Sequence, residues 1–377
     1  MKKMKTAVIG CGKISDIFFE NIINRFEILE IVACCSKSGV SSSEKAEKYK
    51  IKAVTMEEIL NDTSIDLVIN LTPPKAHYDI ISRLLSAGKH VYTEKVITAD
   101  FKEACELRKL AQKNNVRLGV APDTFLGAGI QTARRAVEQG LIGTVTSCHA
   151  SINRDMGSLY PLLQFTTEPG AGIGFDLGIY YLTALLSILG PVEKVSGMVR
   201  TNHKQRIFEN PALYNYGESY EIQNENVMVG TLAFCNGVLG SLNFNGDSIF
   251  PEAPDLILYG TEGIISLPNP NEFGGQVTLQ KKGLDKPPVV LPINYGFETD
   301  SRGIGAAEMA WAIQKDRPHR ANIDMACHVV EILSGILKSS ENNCSQKLES
   351  TFVQLPGLPE GHLDKYILNN PEVALIH

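Results

Sequence analysis

The chain has no excess of positive charge. Its 36 lysines and arginines are outnumbered by 42 aspartates and glutamates, a formal net charge of −6. It therefore lacks the electrostatic footprint of a protein that binds nucleic acid or an anionic membrane. No run approaches the ~20 apolar residues needed to span a bilayer. The basic opening Met1-Lys2-Lys3-Met4-Lys5 leads into no apolar core of the kind a secretory leader has. Eight cysteines occur, at 11, 34, 35, 105, 148, 235, 327 and 344, without a Cys-x-x-Cys pair or metal-ligand spacing. Cys34 and Cys35 adjoin inside an apolar run, which suits small buried side chains in a reducing compartment better than a disulfide framework. Internal repeats and low-complexity tracts are also missing. A cytoplasmic protein is expected, with no metal, nucleic-acid or membrane partner.

What is present points to two domains. A chain of 377 residues exceeds the roughly 250–300 at which single cores stop growing. Near the start, a run of β-formers (residues 5–9) breaks at Gly10-Cys11-Gly12-Lys13-Ile14-Ser15. Ile14, Ile17, Phe18 and Ile22 then recur at helical spacing, so the segment reads as strand, tight turn, helix. Gly10 lets the chain turn, and Gly12 lets the backbone approach a pyrophosphate lying at the helix N-terminus. The third glycine of the dinucleotide fingerprint is replaced by Ser15. Residues 28–35 form a near-continuous apolar run typical of a buried parallel strand. Beyond it, where a dinucleotide fold reads the adenosine ribose, no acid occurs between Glu30 and Glu44. Ser36 and Lys37 stand there instead and favour a 2′-phosphate, hence NADP over NAD.

Further strands are expected at 65–71, 90–92 and 116–120, alternating with a helix after His77 (Tyr78, Ile81, Leu84, Leu85) closed by Ala87-Gly88 and a helix over 100–114. Five strands in this alternation predict a doubly wound parallel sheet over residues 1–122. Ligands of such sheets bind beyond the carboxyl ends of strands. Thr72, Pro73, Pro74, His77, Glu94, Lys95 and Asp123 fall at or just after such ends. From 123 to 377 the pattern changes. A helix over 128–139 leads into β-rich segments at 144–153, 192–200, 219–235, 238–245, 256–260 and 263–267, with hairpin signals at Asn236-Gly237 and Thr261-Glu262-Gly263. An α+β domain with a large, mostly antiparallel open sheet is expected, followed by helices near 303–315 and 322–338. Residues 201–218 and 341–377 read as loops or an arm. A glycine-rich turn (170–174) enters a helix carrying Asp176 and Tyr180, four residues apart and so on one face. Taken alone, these two read as a first-turn acid and a packed tyrosine.

The run from Val8 to Ser15, then Thr72-Pro73-Pro74 with His77, Ala87-Gly88-Lys89-His90-Val91, and Glu94-Lys95 resembles the Gfo/Idh/MocA oxidoreductases. So do Asp176-x-Gly178-x-Tyr180 and Tyr259-Gly260-Thr261-Glu262-Gly263. Valine stands at 96 where that family's Glu-Lys-Pro has proline, before which the family precedent is a cis peptide. The resemblance implies a Rossmann domain, a nicotinamide cofactor, and hydride exchange with a carbinol or carbonyl of a sugar, cyclitol or related diol. It also implies Lys95, Asp176 and Tyr180 as catalytic residues. The cofactor would rest on Gly10, Cys11, Gly12, Lys13, Ile14, Ser36, Lys37, Thr72, Pro73, Pro74, His77, Glu94 and Lys95. Asp123, Asn153 and Arg154 would join Asp176 and Tyr180 around the substrate. Either Tyr180 takes the hydroxyl proton with Lys95 stabilising the phenolate, or Lys95 relays it and Tyr180 orients. A rival reading has a permanently bound cofactor that transiently oxidises a glycoside hydroxyl, in dismutation or glycoside cleavage. A third is a nicotinamide-binding regulator without turnover. Dimers or tetramers built through the second sheet are expected.

Overall fold

A computed structural model describes residues 2–161, 164–212, 215–249, 255–283 and 287–359. The first half alternates β1 (Met4–Ile9), α1 (Ser15–Arg25), β2 (Leu29–Cys35), α2 (Val40–Tyr49), β3 (Lys52–Ala53), α3 (Met56–Asn61), β4 (Leu67–Asn70), α4 (His77–Ser86), β5 (His90–Thr93), α5 (Phe101–Lys113) and β6 (Leu118–Val120). All six strands are parallel, in the order β3-β2-β1-β4-β5-β6. The order reverses between β1 and β4, which opens a crevice at their carboxyl ends. Every residue of β4 is buried, as expected of a strand covered by helices on both faces. The sequence predicts five strands here; the sixth, β3, has two exposed residues and no apolar pattern to announce it. α2 was equally silent, because only Ser42 of its ten residues is buried.

The second half begins with α6 (Ala128–Glu138) and β7 (Val145–Asn153). One π-turn, Gly174–Gly178, runs into α7 (Ile179–Leu189). Then come β8 (Val192–Arg200), β9 (Gln205–Ile207), β10 (Ser219–Glu221), β11 (Val227–Phe234), β12 (Leu239–Asn245), β13 (Asp255–Gly260), β14 (Gly263–Ser266), β15 (Thr278–Lys281) and β16 (Val289–Val290). α8 (Ile304–Gln314), α9 (Ile323–Asn342) and β17 (Gln346–Lys347) complete the described elements. Nine strands form one sheet in the order β16-β15-β14-β13-β7-β12-β11-β8-β17. Only the β7–β12 pair is parallel; the remaining pairs are antiparallel. Both expected hairpins form, with β11 meeting β12 around Asn236-Gly237 and β13 meeting β14. The stretch read as loop at 201–218 contributes β9, half of a separate two-stranded ribbon. The arm expected over 341–377 instead begins as the end of α9 and β17, and its residues 360–377 lie outside the described region. Among the described residues no helix is long and apolar enough to cross a membrane.

One face of the large sheet packs on α9 through β8 and is apolar. On the other, Met198 is 75% exposed, beside its ladder partner Val229 at 48%.

Candidate active site

The crevice at the strand ends continues into a cleft of about 500 Å³ between the two sheets. Its floor starts where β1 stops. Gly10 has φ +95°, and a Cβ there would lie 2.6 Å from the Leu71 carbonyl carbon, so no other residue fits this turn. Gly12 differs: a Cβ there would meet no protein atom within 4 Å and would instead intrude into the cleft that Gly12 lines. This is a cradle kept open for something to lie against the backbone. The Ser15 hydroxyl donates to the Gly12 carbonyl oxygen at 2.6 Å, so serine closes the turn from below. Ile14 also lines the cleft. The Cys11 side chain is buried against the Cys35 carbonyl, its thiol 3.5 Å from that oxygen, and Lys13 is exposed. Ser36 is engaged with the start of α2, accepting from Ser42 N at 3.1 Å, while Lys37 is exposed.

Beyond β4, Asn70 accepts from the Thr72 hydroxyl at 2.8 Å and donates to the Thr93 hydroxyl at 3.0 Å, joining two strand ends. Thr72, Pro73 and Pro74 line the cleft. His77 does not. It is fully buried, with its ring nitrogens 2.7 Å from the Val96 carbonyl and 2.8 Å from the Thr72 carbonyl. Its ring clamps the two loops together, and burial pushes its pKa below the ordinary value.

The centre of the site is Lys95, followed by a cis peptide to Val96. Its Nζ donates to Asp176 Oδ1 at 2.6 Å and to the Asp176 carbonyl oxygen at 2.7 Å, and lies 5.5 Å from the centre of the Tyr180 ring. The π-turn brings Asp176 and the following helix brings Tyr180 into the same wall of the cleft. Single π-turns of this kind recur at functional sites. Burial alone would depress the Lys95 ammonium, but the Asp176 carboxylate and Tyr180 outweigh it and hold its pKa above the ordinary range. Burial pushes the Tyr180 phenol up, and Lys95 offsets only part of this. Burial likewise raises Glu94, which lines the cleft and accepts from the Lys95 backbone N–H at 3.1 Å. At neutral pH the site therefore holds a charged lysine beside a protonated tyrosine.

The other residues expected at the substrate separate. Arg154 lines the cleft. Asn153 does not: its amide nitrogen turns back to the Ser151 hydroxyl at 3.2 Å. Asp123 is also withheld from the cleft. It is 2% exposed, and its Oδ2 accepts from Gly303 N and Gly305 N, both at 3.0 Å. A carboxylate buried against the first amides of α8 is a helix cap, not a substrate ligand. Two polar side chains absent from the sequence-based site stand in the cleft, Arg302 and Asn271. Arg302 Nη2 donates to Asn271 Oδ1 at 3.1 Å, while Nη1 pairs with Asp300. The sequence marks Arg302 only through Arg302-Gly303, the pair that leads into the late helices and shares in the family resemblance.

Two family models match the chain. One described as an oxidoreductase family with an NAD-binding Rossmann fold covers residues 4–121. The other, the GFO/IDH/MocA C-terminal domain, covers 130–266. An uncharacterized oxidoreductase of Schizosaccharomyces pombe is 30% identical over 211 residues, 54% of this chain and 56% of that one. The scyllo-inositol 2-dehydrogenase (NADP(+)) of Bacillus subtilis is 26% identical, over 52% and 54% of the two chains. The D-xylose dehydrogenase of Paenarthrobacter nicotinovorans is 25% identical, over 42% and 43%. The chain thus spans about half the length of the curated relatives it matches. Its fold is shared with a levoglucosan dehydrogenase solved with NADH and L-sorbose (TM-score 0.79, 17% identity, 92% and 99% coverage). The aldose-aldose oxidoreductase of Caulobacter crescentus superposes similarly (TM-score 0.78, 18% identity, 92% and 100% coverage). With one model on the parallel sheet and the next on the sheet that follows it, the chain belongs to the Gfo/Idh/MocA oxidoreductase family.

Proposed function

We propose that this chain is a nicotinamide-dependent oxidoreductase that exchanges hydride with a carbinol or carbonyl carbon of a sugar, cyclitol or related diol. The observation that carries this reading is the Lys95–Asp176–Tyr180 cluster in a cleft that opens on the Gly12 cradle. The cradle fits a dinucleotide, since its open backbone faces the cleft at the foot of α1. Gly12, Thr72, Pro73 and Lys95 would hold the cofactor, which supplies or accepts the hydride. The protein's task is to position the substrate and to manage one proton.

Two of the three Lys95 N–H donors are occupied by Asp176. The third is left to hydrogen-bond the reacting oxygen. Tyr180 hands its proton to that oxygen on reduction and recovers it on oxidation, with the ammonium beside it stabilising the phenolate. Asp176 keeps Lys95 charged and aimed. Arg154, Asn271 and Arg302 supply donors for further substrate hydroxyls. Lys37, standing where a 2′-phosphate would be read, supports NADP. The exposed Met198–Val229 face supports a homo-oligomer formed through the large sheet. The test is turnover with NAD and NADP against a panel of aldoses, cyclitols and diols. Absence of reduction or oxidation across the whole panel would overturn the reading.

A further inference from the structure

The cleft has a neighbour. A second cavity of about 350 Å³ is walled by Lys75 and the start of α4 (Tyr78, Asp79), by Thr98 ahead of α5 and Glu103 in its first turn, and by Glu168. Pro73, Pro74, Phe165, Gly170 and Ala171 line both cavities, so the two volumes share one wall. Each lies within the roughly 300–1,000 Å³ range of small-ligand sites. At their junction Phe165 is 38% exposed, a large aromatic ring left open to solvent. Beside it Gly170 and Ala171 contribute almost no side-chain bulk. Nothing in the Lys95–Asp176–Tyr180 chemistry uses this second volume.

Its lining defines what it would accept. Lys75 is the one cation among the cavity's lining residues and is paired with Glu168 at 2.6 Å. Asp79 and Glu103 remain as acceptors. Burial first, and then the neighbouring Asp100, Glu106 and Asp79 carboxylates, push the Glu103 carboxyl up. Such a surface accepts hydrogen bonds from hydroxyls and repels phosphate and carboxylate groups. An exposed aromatic face suits the apolar side of a sugar ring.

We propose that the cavity beyond Phe165 is a second subsite, which holds the neighbouring ring of a glycoside without anionic groups while the first ring reacts at Lys95 and Tyr180. This deepens the reading of the chain as a sugar oxidoreductase and rests on it. The preferred substrate is then a disaccharide or comparable glycoside whose second ring carries no phosphate or carboxylate group.

The test compares D-glucose, D-galactose and D-xylose with maltose, cellobiose, lactose, xylobiose and cellobiose 6′-phosphate, in wild type and in Tyr78→Ala, Asp79→Asn and Asp79→Lys. The subsite predicts kcat/KM at least tenfold higher for a disaccharide than for its parent sugar, mainly through KM, with cellobiose 6′-phosphate well below cellobiose. Asp79→Lys should cut that ratio tenfold or more and raise the relative rate with the phosphate; Asp79→Asn, which adds no bulk, should shift it the same way by less. A ratio of one or below, or a ratio indifferent to all three variants, overturns the subsite and leaves the monosaccharide reaction standing. Variants that weaken NAD(P) binding instead would assign the cavity to the cofactor, which also overturns it. No turnover of any sugar removes the proposed function and this inference together.

Discussion

Lys95 and Asp176 are 81 positions apart in sequence, yet their Nζ and Oδ1 atoms lie 2.6 Å apart, with side chains only 17% and 14% exposed. The pair joins the end of the parallel sheet to the π-turn ahead of α7, so one contact serves both architecture and chemistry. The two roles can be separated. Lys95→Met leaves Asp176 buried without its cation, at a cost on the order of 3 kcal/mol, and removes 10²- to 10⁴-fold of turnover. Adding Asp176→Asn should recover much of the melting temperature and none of the rate. Recovery of the rate would show that Lys95 is structural only.

Tyr180→Phe decides who carries the proton. If Tyr180 does, kcat should fall roughly 100-fold or more while KM for cofactor holds. A variant with nearly full turnover would give the relay to Lys95.

The direction of the reaction should depend on pH in a stated sense. Tyr180 and Lys95 both hold their protons above their ordinary pKa values. The reductive rate should therefore stay level from about pH 6 to 9, with Tyr180 as donor throughout. The oxidative rate should climb with pH over the same range, because it needs the deprotonated form. An oxidative plateau reached below about pH 8, well under the ordinary tyrosine value, would point to a different base.

The two glycines of the first turn should fail differently. Gly12→Val has open space for its side chain, so the melting temperature should hold while cofactor affinity, read by calorimetry, drops at least tenfold. Gly10→Ala places a Cβ against the Leu71 backbone at a positive φ, so it should cost stability first. Equal effects of both on folding would contradict the cradle.

Glu225 offers a test of the loop that carries the site. It is 7% exposed, one carboxylate oxygen has no hydrogen-bond partner, and it abuts Gly172 just ahead of the π-turn. Burial raises its pKa from 4.5 to about 7. The folded state thus binds the proton more tightly than the unfolded chain, so stability falls as pH rises from about 4.5 through 7 and levels off above. Glu225→Gln removes that dependence. It should match wild type near pH 4 and exceed it at pH 8, by up to about 3 kcal/mol, in denaturant titrations. A variant no more stable than wild type at pH 8 would refute the assignment.

The legible part of the molecule was the part written in local pattern. Gly10 and Gly12 after an apolar strand, the buried runs of β2 and β4, and the hairpin at Asn236-Gly237 each carry their geometry in adjacent residues. Lys95, Asp176 and Tyr180 were assigned through the family resemblance, and the fold brings them into one cleft. What could not be read depends on distant partners. Asp123 looks like any acid at a strand end until Gly303 and Gly305 arrive 180 and 182 positions later to claim its oxygen. Arg302 and Asn271 enter the cleft for the same reason, from loops whose placement is settled by packing. α2 was missed on other grounds, since a helix with one buried residue has no apolar stripe to detect.

The late return of the chain to the first sheet governs how the molecule can be taken apart. Ala321 accepts from Val120 N at 2.9 Å, Asn322 bridges to Gly119, and the backbone of α8 at Gly305 lies against the fully buried Tyr92 ring. The segment that completes the β6 edge is therefore encoded some 200 residues after that strand. A fragment ending at 122 would bare Tyr92 and leave that edge unpaired. The two halves are interlocked, and separable expression would need residues 301–323 grafted back onto the first.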